Sequence, residues 1–473
     1  MPKCTIDGKE VEFKPGENLI TVAKRAGVDI PVFCYHPGLS VVAQCRMCYV
    51  EIEKMPKLQT ACSTMAGEGM VVKTQSDPVV KGRAGTMEFL LLNHPLDCPI
   101  CDKAGECDLQ DNSFGYGSAN MRHSEERRTY VDVDMGPVIE KNMNRCIHCT
   151  RCIRFGEEVA GIHEMVAIKR GNNIDITTID GNPLQTEYAG NYADICPTGS
   201  LTLRDFRFRK RAWMLKKTPT ICEGCSKGCN MEVQQEGNII YRCVPRENLE
   251  INKYWMCDEG RMNYHYTQDQ DRILAPLQGE TTVAWDDAIQ SLKDQIDGKK
   301  PTFLIGSDLT QEEISTILEF ISTYQAGSQA FHFGTEEVFT TAQDGQVDKI
   351  LKMKSKTSNL NGVEKLGIKP INEMKTPSDL LVVFKGGRAS LKPVHQFAKG
   401  KKMFGIGVFM KEEAKSFTAV LPSLAFTEKE GTIINHSGIE QKIKRAITPK
   451  NSVKAISEIL MLFVNKKSKA GVA

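Results

Sequence analysis

Seventeen cysteines restrict what this 473-residue chain can fold into, because all of them lie between Cys4 and Cys257. The residues from there to Ala473 contain none, so the chain divides into a cysteine-rich part and a cysteine-free part. The first residues, MPKCTIDGKE, lack the apolar core of a secretory signal, and we therefore expect the chain to be kept in the cytosol. In a reducing compartment, clustered cysteines indicate metal or redox chemistry rather than a disulfide framework.

Charge and hydropathy argue against two classes of function. Lys+Arg 61 against Asp+Glu 59 leave a net charge of +2, so the chain lacks the basic footprint of a nucleic-acid-binding protein. No apolar run approaches the roughly 18 to 20 residues needed to span a bilayer. We therefore expect no nucleic acid among the partners, and membrane contact only through partner subunits.

The first cysteine set lies in a pattern typical of a β-grasp ferredoxin domain. Residues 3–13 predict a hairpin that turns at Asp7-Gly8, residues 17–26 predict a helix, and residues 70–74 predict a closing strand. Between the helix and that strand, with 10, 2 and 13 residues separating them, lie Cys34, Cys45, Cys48 and Cys62. The first gap is longer than in plant-type ferredoxins, but the β-grasp context still predicts a [2Fe-2S] site.

The second set has three cysteines, Cys98, Cys101 and Cys107, and a nearby histidine. Residues 79–93 predict a helix that ends before Pro95, and His94 lies four residues before Cys98. A neutral imidazole can replace a thiolate, which makes a cluster less negative and should raise its reduction potential. The alternative is that His94 only ends the helix or packs beside the proline, and the spacing alone leaves both interpretations open.

Two further sets have the ligand spacing of [4Fe-4S] sites. A bacterial ferredoxin run with a remote closing Cys-Pro is formed by Cys146, Cys149, Cys152 and Cys196. His148, inside that run, is interpreted as a surface residue or a hydrogen-bond donor rather than a ligand. The fourth set is Cys222, Cys225, Cys229 and Cys257, for which a structural zinc site is the alternative. Cys4 and Cys243 are left over and are predicted to be small buried residues.

The cysteine-free part predicts an α/β domain with a mostly parallel sheet. Strand-like apolar runs alternate with helical segments such as the one from Leu309; the runs begin near residues 302, 330, 379 and 401. Gly386 and Gly387 follow a strand without completing a G-x-G-x-x-G fingerprint, so no dinucleotide site is predicted. Before this domain, residues 201–217 carry seven basic residues and predict a helix or an extended linker that ends the ferredoxin half.

In order and spacing, these sets resemble the large iron-sulfur subunits of the NADH:quinone oxidoreductases (respiratory complex I), over about residues 1–260. The resemblance implies that His94 joins Cys98, Cys101 and Cys107 as a ligand of one [4Fe-4S] cluster. It also implies that the fourth set holds the additional cluster found in some bacterial members, off the main electron route. The second half, most clearly FTEKEGTIINHSGIEQ from Phe426, resembles a degenerate molybdopterin-oxidoreductase fold. It has no motif for a molybdenum ligand, so it is interpreted as a structural remnant with no molybdenum cofactor.

The resemblance implies an electron-transfer function. One [2Fe-2S] and three [4Fe-4S] clusters would pass single electrons from a flavin-binding NADH-oxidising subunit towards the quinone-side subunits of the peripheral arm. The chain would lie on the cytoplasmic side of a bacterial inner membrane, and no catalytic side chain is expected in it. Two alternatives remain: an electron-transfer subunit of an NAD-linked hydrogenase or formate dehydrogenase, and, from another class of protein, a scaffold stapled by zinc.

The predicted fold class is α+β followed by α/β, in five domains. These are a β-grasp [2Fe-2S] domain over 1–78, a one-histidine/three-cysteine [4Fe-4S] domain over 79–118, a ferredoxin-like [4Fe-4S] domain with the basic linker over 119–217, a four-cysteine [4Fe-4S] domain over 218–273, and a degenerate molybdopterin-oxidoreductase-like α/β domain over 274–473.

Overall fold

The computed structural model describes residues 1–120, 122, 124, 126–335, 348–450 and 453–465. The chain forms two compact units, Met1–Met214 and Leu215–Ala473. Within the described residues, no helix is both long enough and apolar enough to cross a membrane.

The first unit contains short strands and helices separated by long cysteine-bearing loops. Its strands are β1 (Lys3–Ile6), β2 (Lys9–Glu12), β3 (Tyr49–Ile52), β4 (Gln59–Thr60), β5 (Val71–Lys73), β6 (Ile139–Lys141), β7 (Met165–Ile168), β8 (Asp175–Thr178) and β9 (Leu201–Leu203). Its helices are α1 (Leu19–Arg25), α2 (Asp77–Leu91), α3 (Asp108–Tyr116), α4 (Arg151–Phe155) and α5 (Gly190–Ile195).

The predicted hairpin (β1 and β2) and closing strand (β5) belong to a five-stranded sheet in the order β2-β1-β5-β3-β4. Strands β1 and β2 are antiparallel, whereas β5 returns parallel to β1. The turn uses left-handed backbone at Asp7 (φ 46°) and Gly8 (φ 82°), as the Asp-Gly pair predicts. Helix α1 covers the sheet because Leu19, Val22 and Ala23 all lie on one face and are buried.

The segment 201–217 is not a helix or an extended linker, which corrects that prediction. Its start is β9, antiparallel to β6, and the chain then turns back on itself. Two of its basic residues pair with acids far along the chain: Arg204 contacts Asp134 at 2.7 Å and Arg207 contacts Glu140 at 3.3 Å. A charge run whose partners are about 65 to 70 residues away looks like a solvated face in the sequence, and only the fold brings the acids to it.

Two predicted domain boundaries fall inside secondary-structure elements. The boundary at 78/79 lies within α2, whose first turn contains Pro78, a residue tolerated there because it needs no amide donor. The boundary at 217/218 lies within a strand of the second unit, Lys216–Ile221. The division between the compact units falls at Met214/Leu215 instead, and the fourth cysteine set belongs to the same unit as the α/β sheet.

The second unit combines two sheets with a small hairpin. Its strands are β10 (Lys216–Ile221), β11 (Asn230–Glu236), β12 (Ile239–Pro245), β13 (Leu277–Gln278), β14 (Thr281–Thr282), β15 (Thr302–Gly306), β16 (Gln329–Phe333), β17 (Lys369–Pro370), β18 (Leu380–Lys385), β19 (Lys402–Gly407), β20 (Ala419–Pro422), β21 (Gly431–Ile434) and β22 (Glu440–Ile443). Its helices are α6 (Asp258–Met262), α7 (His265–Gln268), α8 (Trp285–Ile296), α9 (Gln311–Tyr324), α10 (Leu360–Lys365), α11 (Lys392–Phe397), α12 (Lys411–Ala414) and α13 (Ile456–Asn465).

The larger sheet is mostly parallel, as the alternating pattern predicts. Its order is β14-β13-β20-β19-β18-β15-β16-β17, and the ladder from β17 through β20 is parallel while β13 and β14 pair antiparallel at one edge. Residues of β15 alternate between the two faces: Phe303 and Ile305 join one buried cluster and Leu304 joins the other. Both faces are therefore covered, which is why its strands are nearly continuous apolar runs.

Candidate metal centres

The first set of cysteines gathers at one end of the β-grasp sheet. Cys48 directly precedes β3, and Cys62 follows two residues after β4. The side chains of Cys34 and Cys45 are hydrogen-bonded to each other, and so are those of Cys48 and Cys62. The hydrogen bond from the partner thiol lowers the pKa of Cys34 to about 5 and also lowers the pKa of Cys62. The four sulfur atoms thus form two pairs, each with one readily ionised member.

Left-handed residues shape the loop around this set. Ala43 has φ 51° and Arg46 has φ 61°. Their conformation turns consecutive amides inwards, and the amides of Gln44 and Cys45 donate to the Cys34 sulfur. Inward-pointing amides of this kind create a cavity suited to an anion, such as a cluster with thiolate ligands.

The second set lies in the chain between the end of α2 and the start of α3. Cys107 is the residue before α3, and His94 lies three residues beyond the end of α2. The His94 Nδ1 atom is buried and has no hydrogen-bond partner. Burial lowers the pKa of His94 to about 4, so the ring is neutral, as a metal-ligating imidazole must be. Burial raises the pKa of Cys107 to about 11, which makes an uncoordinated thiolate costly there.

The third set surrounds a small cavity. The cavity is lined by Cys146, Cys149, Cys152 and Cys196. The residues between the first three cysteines include two left-handed ones, His148 (φ 54°) and Thr150 (φ 58°). The His148 amide donates to the Cys146 sulfur at 3.4 Å, while its ring lies beside the Ile174 carbonyl at 3.3 Å. His148 therefore acts through its backbone, in agreement with the hydrogen-bond interpretation.

Direct hydrogen bonds connect the loops of the first and third sets. The Arg154 guanidinium donates to the carbonyls of Cys34 (2.6 Å) and Cys149 (3.2 Å). The side-chain amide of Gln44 donates to the backbone carbonyl of His148 at 2.6 Å. Arg154 is buried, so its bonds fix the two loops relative to each other in a water-poor environment.

The second and third sets are connected as well. Arg145, which precedes Cys146, forms a bonded pair with Asp97, which precedes Cys98, at 2.9 and 2.5 Å. The carbonyl of Pro197 accepts from the Asp108 amide at 3.1 Å. No metal-ligand pattern identifies these residues in the sequence; their positions next to cysteines of the predicted sets are the signal that the sequence offers.

The fourth set lies between the three-stranded sheet and α6. Cys222 follows β10, Cys229 precedes β11, and Cys257 precedes α6. The four cysteines line one small cavity. The amide of Gly224 donates to the Cys222 sulfur and that of Gly260 to the Cys257 sulfur, both at 3.3 Å. Such bonds stabilise thiolates bound to a metal centre.

The linings of the third and fourth cavities bear on what they hold. Each cavity is lined by all four cysteines of its set. Within the described part of the chain, no three His, Cys, Asp or Glu side chains are placed to hold a single metal ion. The donor set of each cavity, four cysteine sulfurs with inward amides, fits an iron-sulfur cluster.

Cys4 and Cys243 lie outside the four sets. Cys4 is in β1 and Cys243 is in β12, and each residue is 1% exposed. Their predicted burial is confirmed.

The carboxyl edge of the large sheet does not fit a phosphate-bearing cofactor. An open parallel sheet binds ligands where the strand order reverses, here between β15 and β18. The amides of Gly386, Arg388 and Ala389 converge at that point, at 2.7 to 3.0 Å from the Asp308 carboxylate. The chain's own carboxylate thus occupies the amides that a phosphate would need.

Family models match four consecutive parts of the chain. They are a 2Fe-2S iron-sulfur cluster binding domain over 3–77, an NADH-ubiquinone oxidoreductase-G iron-sulfur binding region over 83–122, an NADH-quinone oxidoreductase subunit 3 ferredoxin-like domain over 136–202, and a molybdopterin oxidoreductase Fe4S4 domain over 215–269. Iron-sulfur cluster binding domains therefore follow one another in the predicted order.

Curated relatives extend this similarity over 61 to 64% of the chain. The G subunit of the NADH-quinone oxidoreductase of Rickettsia bellii is 43% identical over 304 residues. The NADH-ubiquinone oxidoreductase 78 kDa subunit of Neurospora crassa is 45% identical over 296 residues. Over its matched part, this chain is a homologue of the iron-sulfur subunits of complex I. Because the alignments cover 45% and 40% of those proteins, this chain spans less than half of their length.

A solved structure, the crystal structure of an NAD+-reducing [NiFe]-hydrogenase in the H2-reduced state, also aligns with this chain. The two chains are 27% identical with a TM-score of 0.41, and the alignment covers 44% of this chain and 90% of that one.

Proposed function

We propose that this chain is an electron-transfer subunit of a proton-translocating NADH:quinone oxidoreductase. The observation that supports the proposal most directly is that hydrogen bonds join the loops of the three cysteine sets in the first unit. Arg154 links the loops of the first and third sets, and Arg145 links those of the second and third. Three potential redox sites that share bonded loops form a connected arrangement, whereas isolated structural metal sites would not need one.

The four sets provide the ligands of one [2Fe-2S] and three [4Fe-4S] clusters. The [2Fe-2S] ligands are Cys34, Cys45, Cys48 and Cys62. The [4Fe-4S] ligands are His94, Cys98, Cys101 and Cys107; Cys146, Cys149, Cys152 and Cys196; and Cys222, Cys225, Cys229 and Cys257. In the first set, the two hydrogen-bonded pairs, Cys34 with Cys45 and Cys48 with Cys62, support the proposal that these four side chains would hold one cluster together. The orphaned Nδ1 atom of His94 supports its place in the second set.

The chain's own residues bury and orient the redox centres rather than perform acid-base chemistry. Bound clusters supply reversible single-electron transfer. The cysteines hold them away from water, and backbone amides such as those of His148 and Gly260 donate to the ligating sulfurs. These amide bonds stabilise negative charge and so favour the reduced state. No general base or nucleophile is assigned in the chain.

The proposed partners are a flavin-binding NADH-oxidising subunit and the quinone-side subunits of the peripheral arm. The chain would sit on the cytoplasmic side of a bacterial inner membrane and contact the membrane only through those subunits. The names of the curated relatives, all subunits of NADH dehydrogenases or NADH:quinone oxidoreductases, support this assignment. The Asp308 carboxylate accepts hydrogen bonds from the backbone amides at the sheet edge, so these amides are not free to bind the phosphates of a molybdenum cofactor. This arrangement supports the proposal that the chain holds no such cofactor.

Co-purification tests the assignment. The chain would be tagged at its carboxyl end in the native host, membranes would be solubilised in a mild detergent, and the bound subunits would be sequenced. We expect a flavin-binding NADH-oxidising subunit together with membrane-embedded quinone-reductase subunits. Co-purification with hydrogenase or formate dehydrogenase chains would support a role in electron transfer but assign the chain to a different reaction. A colourless preparation with stoichiometric zinc would reject electron transfer altogether.

A further inference from the structure

The cavity of the fourth set is completed by residues that carry no metal-ligand pattern. Its lining includes two lysines, Lys352 and Lys356, from a segment about 100 residues beyond the last cysteine. We call residues 351–358 the lysine segment. It lies in the same compact unit as the cysteines.

Backbone bonds hold the lysine segment against the cysteine loop. The Met353 amide donates to the Cys225 sulfur. The Ser226 amide donates to the Ser355 carbonyl at 2.9 Å. The segment is therefore bonded both to a proposed ligand and to the residue that follows it, and it forms one wall of the site.

Two positive charges of this wall are buried beside the sulfurs. The side chains of Lys352 and Lys356 are each 5% exposed. The charge of Lys356 acts on the Cys225 thiol and that of Lys352 on the Cys257 thiol. Both ammonium groups also meet Glu259, at 2.7 Å from Lys356 and 3.8 Å from Lys352. At low local dielectric, charges that line the cavity of a redox centre interact strongly with that centre.

We infer that the lysine segment belongs to the fourth cluster site, and that Lys352 and Lys356 act as positioning residues that set the reduction potential of that cluster. An added electron makes a thiolate-bound cluster more negative. A neighbouring cation stabilises the reduced form more than the oxidised form and raises the potential. The inference rests on the proposed assignment of a cluster to the fourth set. It gives the α/β part of the second unit a role beyond that of a structural remnant.

Redox titration of the full chain tests this inference. The chain would be purified anaerobically, and the paramagnetic signal of the fourth cluster would be identified by its loss in Cys225→Ala. We expect Lys352→Gln and Lys356→Gln to move the midpoint of that signal to lower potential, and the double variant to move it further. Glu259→Gln, which removes the opposite charge, should move it to higher potential.

Two variants separate charge from packing. Lys354 lies on the same segment but is exposed, so Lys354→Gln should titrate like the wild type. Lys356→Arg keeps the charge and should retain both iron and potential. Glutamine variants that keep their iron and titrate at the wild-type midpoint would overturn the inference. So would loss of iron in Lys356→Arg as well as in Lys356→Gln. If the wild-type chain contains no fourth cluster, the proposed assignment of a cluster to the fourth set is wrong, and this result is obtained before any lysine variant is measured.

Discussion

Several residues in the cysteine loops adopt backbone conformations that are costly for side chains other than glycine. Arg46, His148 and Thr150 all have positive φ, between 54° and 61°. Left-handed backbone costs about 1–2 kcal/mol for such residues. Here it aims amides at sulfur, as the His148 bond to Cys146 shows. The left-handed conformation therefore lowers the local stability of the loops but orients backbone amide donors that favour a negatively charged cluster.

Replacing His94 with cysteine tests its proposed ligand role. The imidazole is neutral, and a thiolate in its place adds one negative charge to the cluster. We expect His94→Cys to retain the cluster and to lower its midpoint potential in a paramagnetic redox titration. His148→Asn serves as a control, because the His148 ring lies beside a carbonyl and only its amide donates to a sulfur. An unchanged midpoint in His94→Cys would remove His94 from the ligands.

Gly260 is required by the close approach of the backbone to two sulfurs. A Cβ at this position would lie 2.9 Å from the Cys222 sulfur and 3.4 Å from that of Cys257. We expect Gly260→Ala to displace a ligand and lower the iron content by about four atoms per chain. Gly85→Ala is the matched control, because a Cβ there meets nothing within 4 Å and alanine favours the helix. Equal iron contents in the two variants would contradict this assignment.

Among the elements, those with a local signal could be predicted from the sequence. The Asp7-Gly8 turn, helix α1 and strand β18 are confirmed, because turn chemistry and apolar periodicity act over a few residues. The prediction for segment 201–217 is wrong, because its charges pair with residues that are distant in the sequence. The strand order of the large sheet is not predictable for the same reason: it depends on long-range packing.

A buried ion pair anchors the segment that carries the clearest molybdopterin-oxidoreductase resemblance. The Arg272 guanidinium donates to both Glu428 oxygens, at 2.9 and 2.6 Å, and neither side chain is exposed. We expect Glu428→Gln to destabilise the second unit by about 3 to 5 kcal/mol, because it leaves a buried unpaired cation. The measurement is the apparent midpoint of thermal unfolding.

The control for this pair is an exposed one. Glu412→Gln removes a carboxylate that pairs with Lys415 at 2.6 Å, where both side chains are more than half exposed. Exposed pairs contribute about 0–1 kcal/mol, so its unfolding midpoint should match that of the wild type. If Glu428→Gln unfolds no earlier than Glu412→Gln, the buried pair does not stabilise the unit.

For the whole molecule, the grouping of the cysteines into four sets remains a prediction from ligand spacing, and the contacts that join the loops of these sets could not be predicted from the sequence. Ligand spacing is local, so four sets can be drawn from the sequence alone. Arg154, Arg145 and the lysine segment have no such pattern, and the fold brings them to the cysteines over separations of up to about 130 residues. A charged residue next to a predicted ligand is a signal that could have drawn attention to Arg145, whereas Arg154 lies two residues beyond Cys152.

Iron analysis of single-cysteine variants tests the division into four sets. One [2Fe-2S] and three [4Fe-4S] clusters predict about fourteen irons per anaerobically purified chain. We expect Cys225→Ala to reduce the content to about ten, because the fourth cavity loses one of its four sulfurs. Cys4→Ala and Cys243→Ala are matched controls, because both residues are buried small side chains in strands outside the sets. A wild-type content near ten would remove the fourth cluster. A deficit of four irons in Cys243→Ala would instead place Cys243 among the ligands of a neighbouring cluster.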